Sequence, residues 1–178
     1  MNKTAQYLSE LYRWNRKINL TSVKEHEAQE VLVKPSLAML EFMPAQKGLE
    51  VFDIGSGGGL PAIILAIHLP DIRFTLVESD RKKSVFLTHI AGLLGLKNVR
   101  VVCERSEKLA KMEGYAGCAD VVTSRAVKRE DVFAASNGLL KPGGIVIIHH
   151  SPREIEDDPR FIFSGKNQSV DCYRRFVV

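Results

Sequence analysis

The sequence predicts an α/β fold: a mostly parallel sheet with helices on both faces, further helices before it and an antiparallel hairpin after it. Three observations lead there. From Leu49 onward, short apolar runs alternate with stretches of helical periodicity. The first of those runs empties into a glycine-rich turn, Gly55-Ser56-Gly57-Gly58-Gly59, that leads directly into a helical stretch. The chain closes on two strand-forming runs near enough to pair with each other.

The elements follow in order. Tyr7, Leu8, Leu11, Tyr12 and Ile18 recur at helical spacing, with Glu10, Arg13 and Lys17 between them, so residues 1–45 read as helical. Ser22-Val23-Lys24-Glu25 has the form of a capping box and should start a second helix. Pro35 should break or kink it, because Lys34 before it is steered out of the helical region. Strands are then expected at Glu50–Ile54, Arg73–Glu78, Val99–Glu104, Asp120–Ser124 and Ile145–His149. Between them lie helices at Leu60–His68, at Arg81–Leu94 with Gly95 past its end, and near Glu130–Leu140. Pro142-Gly143-Gly144 reads as a turn, and Arg160–Ser164 with Cys172–Val178 as the closing hairpin.

A chain of 178 residues fits one domain, here a helical cap over 1–45 on a core over 46–178. With 45% hydrophobic and 26% charged residues it lacks the composition of a disordered chain. Lys plus Arg is 25 against 21 for Asp plus Glu, a net +4 that allows a polyanionic partner without demanding one. The longest apolar run, Leu60–Leu69, is interrupted by His68 and too short to span a bilayer, so no membrane partner is expected. No apolar segment follows the N-terminus to suggest export. Cys103, Cys118 and Cys172 are odd in number and far apart, which argues against a disulfide framework and a metal site, and makes the cytoplasm the expected compartment.

The chemistry is concentrated at Asp53-Ile54-Gly55-Ser56-Gly57-Gly58-Gly59-Leu60. Glycine lets backbone approach a ligand closely, and a helix start offers unpaired N–H groups. Glu78 ends the next strand, where a carboxylate can accept hydrogen bonds from adenosine ribose hydroxyls. Together these point to an adenosine-containing cofactor at the carboxyl edge of the sheet. A dinucleotide fingerprint starting at Gly55 needs glycine where Leu60 stands, and one starting at Gly57 places the turn late. The form Asp53-x-Gly55-x-Gly57-x-Gly59 resembles instead the S-adenosylmethionine loop of Rossmann-like methyltransferases, since a cationic sulfonium suits nearby carboxylates. A glycine turn with no ligand is the competing reading.

Three segments occur in order: Trp14-Asn15-Arg16-Lys17-Ile18-Asn19-Leu20-Thr21, then Asp53-Ile54-Gly55-Ser56-Gly57-Gly58-Gly59-Leu60-Pro61, then Thr123-Ser124-Arg125-Ala126. With them the sequence resembles the bacterial small-subunit (16S) ribosomal RNA guanine-N7 methyltransferases, the glucose-inhibited division protein B family, over roughly residues 7–148. The resemblance implies a Rossmann-like, S-adenosylmethionine-dependent methyltransferase acting on 16S rRNA or the 30S subunit. It implies cofactor contacts from Gly55 and Leu60, from Ser106 and Glu107 beside the adenine, and from Arg125, with Glu78 standing where the family usually has Asp. Asp53 and Gly57 complete the expected site, and no residue is assigned a proton-transfer role.

Other readings stand beside these. Ser106 and Glu107 are also ordinary residues for opening a helix, and Arg125 for a surface ion pair. Arg81-Lys82-Lys83 fits a solvated helix start better than an RNA contact, and Trp14 with Tyr12 fits packing better than base stacking. His149 and His150 are adjacent strand residues facing opposite ways, which argues against joint ligation. The chain departs from the family at Pro35, Ala38 and Met39, where His, Asp and Ser are usual, and at His149-His150-Ser151-Pro152. Those departures keep two alternatives open: a divergent methyltransferase for another RNA or a small molecule, or a cofactor- or RNA-binding protein without catalysis.

Overall fold

Seven strands form one mixed sheet in the computed structural model, which describes residues 2–149 and 158–176. They are β1 Glu50–Ile54, β2 Arg73–Val77, β3 Val99–Val102, β4 Ala119–Ser124, β5 Leu140–His149, β6 Phe161–Lys166 and β7 Val170–Arg175. Their spatial order is β3-β2-β1-β4-β5-β7-β6. The first five are parallel, and β7 joins β5 antiparallel with β6 outside it. The expected hairpin therefore closes the sheet edge. The order reverses at β1, so the carboxyl ends of β1, β2 and β4 flank the crevice where open α/β sheets take ligands.

The helices are α1 Lys3–Asn15, α2 Lys34–Ala38, α3 Ala62–His68, α4 Arg81–Leu93, α5 Ser106–Leu109 and α6 Arg129–Leu139. They cover the two sheet faces as two apolar layers. Tyr7, Leu11, Ile63, Phe86 and Leu87 pack with Val51 on one face, and Val132, Phe133 and Leu139 with Phe52 and Ile54 on the other. Alternation along β1 places Asp53 on the face of Val51, beneath α1 and α3. The Asp80 side chain caps α4 by accepting from the N–H groups of Lys82 and Lys83, an arrangement worth about 1 kcal/mol. Trp14 packs on Phe86 and His89, and the Tyr12 hydroxyl donates to the carbonyls of Val23 and Lys24, so both rings serve packing.

The N-terminal region differs from the expectation in two places. The helical turn after α1 starts at Glu25 with Lys24 as N-cap, two residues later than the Ser22 box, because the Glu27 carboxylate reaches back to the Lys24 N–H. Pro35 does not end its helix. Residues Gln29–Val33 form a π-type turn, and Lys34 keeps helical angles (φ −57, ψ −46) as the first residue of α2. A wider turn accommodates a residue that supplies no N–H. Pro142-Gly143-Gly144 is likewise not a free turn but the irregular start of β5, where the pairing with β4 shifts register. Ser151, Pro152 and His150 lie outside the described residues.

Candidate functional site

The glycine turn between β1 and α3 is gripped from below, from above and from the side. From below, Glu78, which follows β2 directly rather than ending it, accepts from the Gly57 N–H through Oε2 and from the Asp80 N–H through Oε1, both at 2.8 Å. From above, the Tyr7 hydroxyl of α1 donates to the Gly58 carbonyl at 2.7 Å. From the side, Val127 fills the space beside Gly55: a Cβ there would stand 2.4 Å from Val127 Cγ2. Gly59 is excluded from carrying a side chain by Ile63 and Leu87. Gly57 is different. It has φ +51, and a Cβ on it would meet nothing nearer than the Gly55 carbonyl at 3.7 Å, so a side chain there would enter open space. Gly59, buried, thus serves protein packing, while Gly55, exposed, and Gly57, half-buried, present bare backbone to a ligand.

Asp53 lies under this turn with 1% of its surface exposed. Its strand neighbour Thr123 donates to Oδ1 at 2.7 Å, which the β1–β4 register places side by side. Oδ2 has no hydrogen-bond partner among the described residues. Burial, with the Glu78 carboxylate adding to it, pushes the Asp53 carboxyl up to about 7, against the bond from Thr123 and the nearby Ser56 hydroxyl, which donates to the Asp53 backbone carbonyl. An unpartnered buried acid beside a second carboxylate suits a cationic ligand group. A pyrophosphate there would face two acids, which disfavours a dinucleotide. The donor set therefore fits S-adenosylmethionine.

The remaining expected residues are spread along the same sheet edge. Leu60 is buried in the core, leaving its backbone as the part that faces the turn. Ser106 and Glu107 open α5 beyond β3, half-buried and exposed respectively, and the N-cap is Arg105, so Ser106 is not serving as a cap. Arg125 is turned toward the N-terminal arm: Nη2 donates to the Val31 carbonyl at 2.8 Å and Nη1 to the Leu32 carbonyl at 3.5 Å. Val31 lies four residues before Pro35, so the guanidinium meets the carbonyl that a helical N–H at 35 would otherwise serve. Ala126 beside it has φ +60, a left-handed conformation costing a non-glycine residue about 1 kcal/mol. That bend sends Arg125 to the arm and Val127 onto Gly55.

The family description GidB, rRNA small subunit methyltransferase G, matches residues 1–172. The chain belongs to this family. A "Ribosomal RNA small subunit methyltransferase G" of Polynucleobacter asymbioticus is 40% identical over 159 residues, covering 85% of this chain and 69% of that protein. One of Staphylococcus carnosus is 34% identical over 177 residues, covering 94% of this chain and 73% of that protein. In fold, a SAM-dependent methyltransferase from Aquifex aeolicus aligns with TM-score 0.64 at 14% identity, over 96% of this chain and 98% of that one. A methyltransferase from Geobacter sulfurreducens aligns with TM-score 0.66 at 16% identity, over 96% and 88%. The α/β sheet is thus that of the Rossmann-like methyltransferases.

Within this family chain, Asp53, Gly55, Gly57 and Glu78 converge on one turn, Arg125 lies near Tyr7 above it with its guanidinium bonded to the N-terminal arm, and the Ser106–Glu107 pair opens α5 beyond β3. Sequence reasoning missed Tyr7, Thr123 and Val127. Tyr7 did carry a signal, since a tyrosine on the buried stripe of a helix needs a partner for its hydroxyl. Among the described residues no group of His, Cys, Asp or Glu is placed to hold a metal ion. No helix among them is long and apolar enough to cross a membrane.

Proposed function

We propose that this chain transfers a methyl group from S-adenosylmethionine to N7 of a guanine in 16S rRNA, acting in the cytoplasm on the 30S subunit or its RNA. The observation that carries the reading is the open turn at Gly57 between two carboxylates, in a chain of the GidB family. The cofactor supplies an electrophilic methyl group on a cationic sulfonium. Glu78 holds the ribose end, Asp53 supplies negative charge beneath the turn, and Ser106 and Glu107 bracket the adenine. Residues 1–45 act as a helical cap on the core of 46–178, a single methyltransferase domain.

The chemistry asks little of the side chains. Guanine N7 has a free lone pair on the major-groove edge and no proton to lose, so no general base is required. Orientation alone can lower the barrier by several kcal/mol, on the order of 7 or more in favourable cases. The chain's task is to hold two partners in line and exclude water.

Transfer of labelled methyl from S-adenosylmethionine to undermethylated 30S subunits, to bare 16S rRNA and to free nucleosides tests the reading. Label in 7-methylguanine of the 16S rRNA is the expected result. The Arg125 contacts beside Pro35 favour one second reading, a methyltransferase for another RNA, which label in a different product would support. Cofactor binding without turnover on any substrate would overturn both.

A further inference from the structure

Tyr7 sits on the first helix, 51 residues from the turn it touches. Its ring is wholly buried, and its hydroxyl donates to the Gly58 carbonyl at 2.7 Å. The next turn of the same helix places Leu11 Cδ1 3.1 Å from where a Gly58 Cβ would stand, and the Leu20 carbonyl lies at the same distance. Gly58 has no positive φ, so glycine is favoured here by the close approach of the arm rather than by backbone angle. Two adjacent residues of the turn are thus held from opposite sides: the N–H of Gly57 by Glu78 from the sheet, the carbonyl of Gly58 by Tyr7 from the arm. Gly57, open to a ligand, lies between these holds. Burial pushes the Tyr7 hydroxyl above its ordinary range, so it stays a donor at neutral pH.

Resting on the cofactor reading above, we propose that Tyr7 is a positioning residue for S-adenosylmethionine: by fixing the Gly58 carbonyl it holds the turn in its binding form and couples the first helix to the cofactor. Tyr7→Phe keeps the ring and removes only the hydroxyl. If the turn then spends a tenth of its time in the binding form, the apparent Kd rises about tenfold, because affinity falls by the populated fraction. Saturating cofactor restores the turn, so kcat and the KM for rRNA stay at their wild-type values. Coupling is reciprocal, so cofactor binding should slow amide exchange in residues 3–15 of the wild type and do so less in the variant.

The experiment is calorimetric binding of S-adenosylmethionine to wild type and Tyr7→Phe without RNA, then steady-state kinetics with 30S subunits, then exchange with and without cofactor. A raised Kd and KM for the cofactor alone supports the proposal. A Kd within about twofold of wild type overturns it. So does a fall in kcat or a rise in the KM for rRNA by the same factor, which is the mark of general loosening. Should Tyr7→Phe fail to fold, exchange on the wild type decides: protection reaching residues 3–15 supports coupling, and protection confined to the turn overturns it. Cofactor binding is read without RNA, so a wild type that binds it but leaves rRNA unmethylated ends the function proposed above and leaves this test standing.

Discussion

Glu78 reaches one methylene further than the aspartate usual at its position, and that length places one carboxylate oxygen on the Gly57 N–H while the other serves Asp80. Each bond leaves a lone pair for a ribose hydroxyl. Glu78→Ala should weaken S-adenosylmethionine by about 1.5–3 kcal/mol, the scale of a hydrogen bond to a charged group, while Glu78→Asp keeps the charge and should lose about 1 kcal/mol. Calorimetry measures both, and unchanged affinity in the alanine variant removes Glu78 from the cofactor. Asp53 makes a pH prediction. Its carboxyl is raised in the fold to about 7 from the usual 3.8, so the folded state keeps a proton that the unfolded state has released. The stability this contributes is full below the unfolded value and is lost as pH climbs through about 7. Chemical denaturation at about pH 5 and about pH 8 should show that loss, and Asp53→Asn should flatten it. A cationic ligand favours the ionised form, so cofactor affinity should rise over the same interval in the wild type and lose that rise in Asp53→Asn.

Elements carry the coupling between these residues. The arm is tied to β4 through Arg125, whose guanidinium bonds the Val31 and Leu32 carbonyls in the turn before Pro35. Pro35→Ala restores a helical donor for Val31, so Arg125 loses part of its role. In a double-mutant cycle of thermal or denaturant stability, Arg125→Ala should cost about 1 kcal/mol less in the Pro35→Ala background than in the wild type. Additive effects would mean that the guanidinium does not depend on the proline. At this scale the sequence was most legible where periodicity is strong: β1 runs Glu50–Ile54 as expected, and α4 ends one residue before the expected Leu94. The π-type turn at Gln29–Val33 was not legible, because Pro35 reads locally as a breaker and only a distant arginine supplies the compensating donor. The site divides the same way. Asp53, Gly57 and Glu78 follow from strand ends and a glycine spacing, whereas Thr123 and Val127 act through register and packing that no local pattern encodes.

Across the whole molecule, segments far apart in sequence frame one crevice. Asn167 in the β6–β7 turn donates to the Ala38 carbonyl at 3.0 Å and to the Glu41 carboxylate at 2.8 Å, so the closing hairpin is tied to the arm that Tyr7 and Arg125 hold against the sheet. That frame buries the acids nearest the turn: Asp53 and Tyr7 have at most 1% of their surface exposed, and both Glu78 oxygens accept backbone N–H groups. The proposed reaction asks none of them to take a proton from the substrate, since its nucleophile arrives with a free lone pair. With rRNA and cofactor saturating, kcat should therefore stay nearly flat between about pH 6 and about pH 9, while the KM for the cofactor follows Asp53. A bell-shaped kcat profile would demand an acid–base pair that this crevice does not supply. Replacing the target guanine by 7-deazaguanine should abolish transfer while the RNA still competes with the natural substrate, since only the attacking atom is removed. Persistent methylation of the deaza RNA would place the acceptor at another atom, and an amine acceptor there would in turn require the missing base.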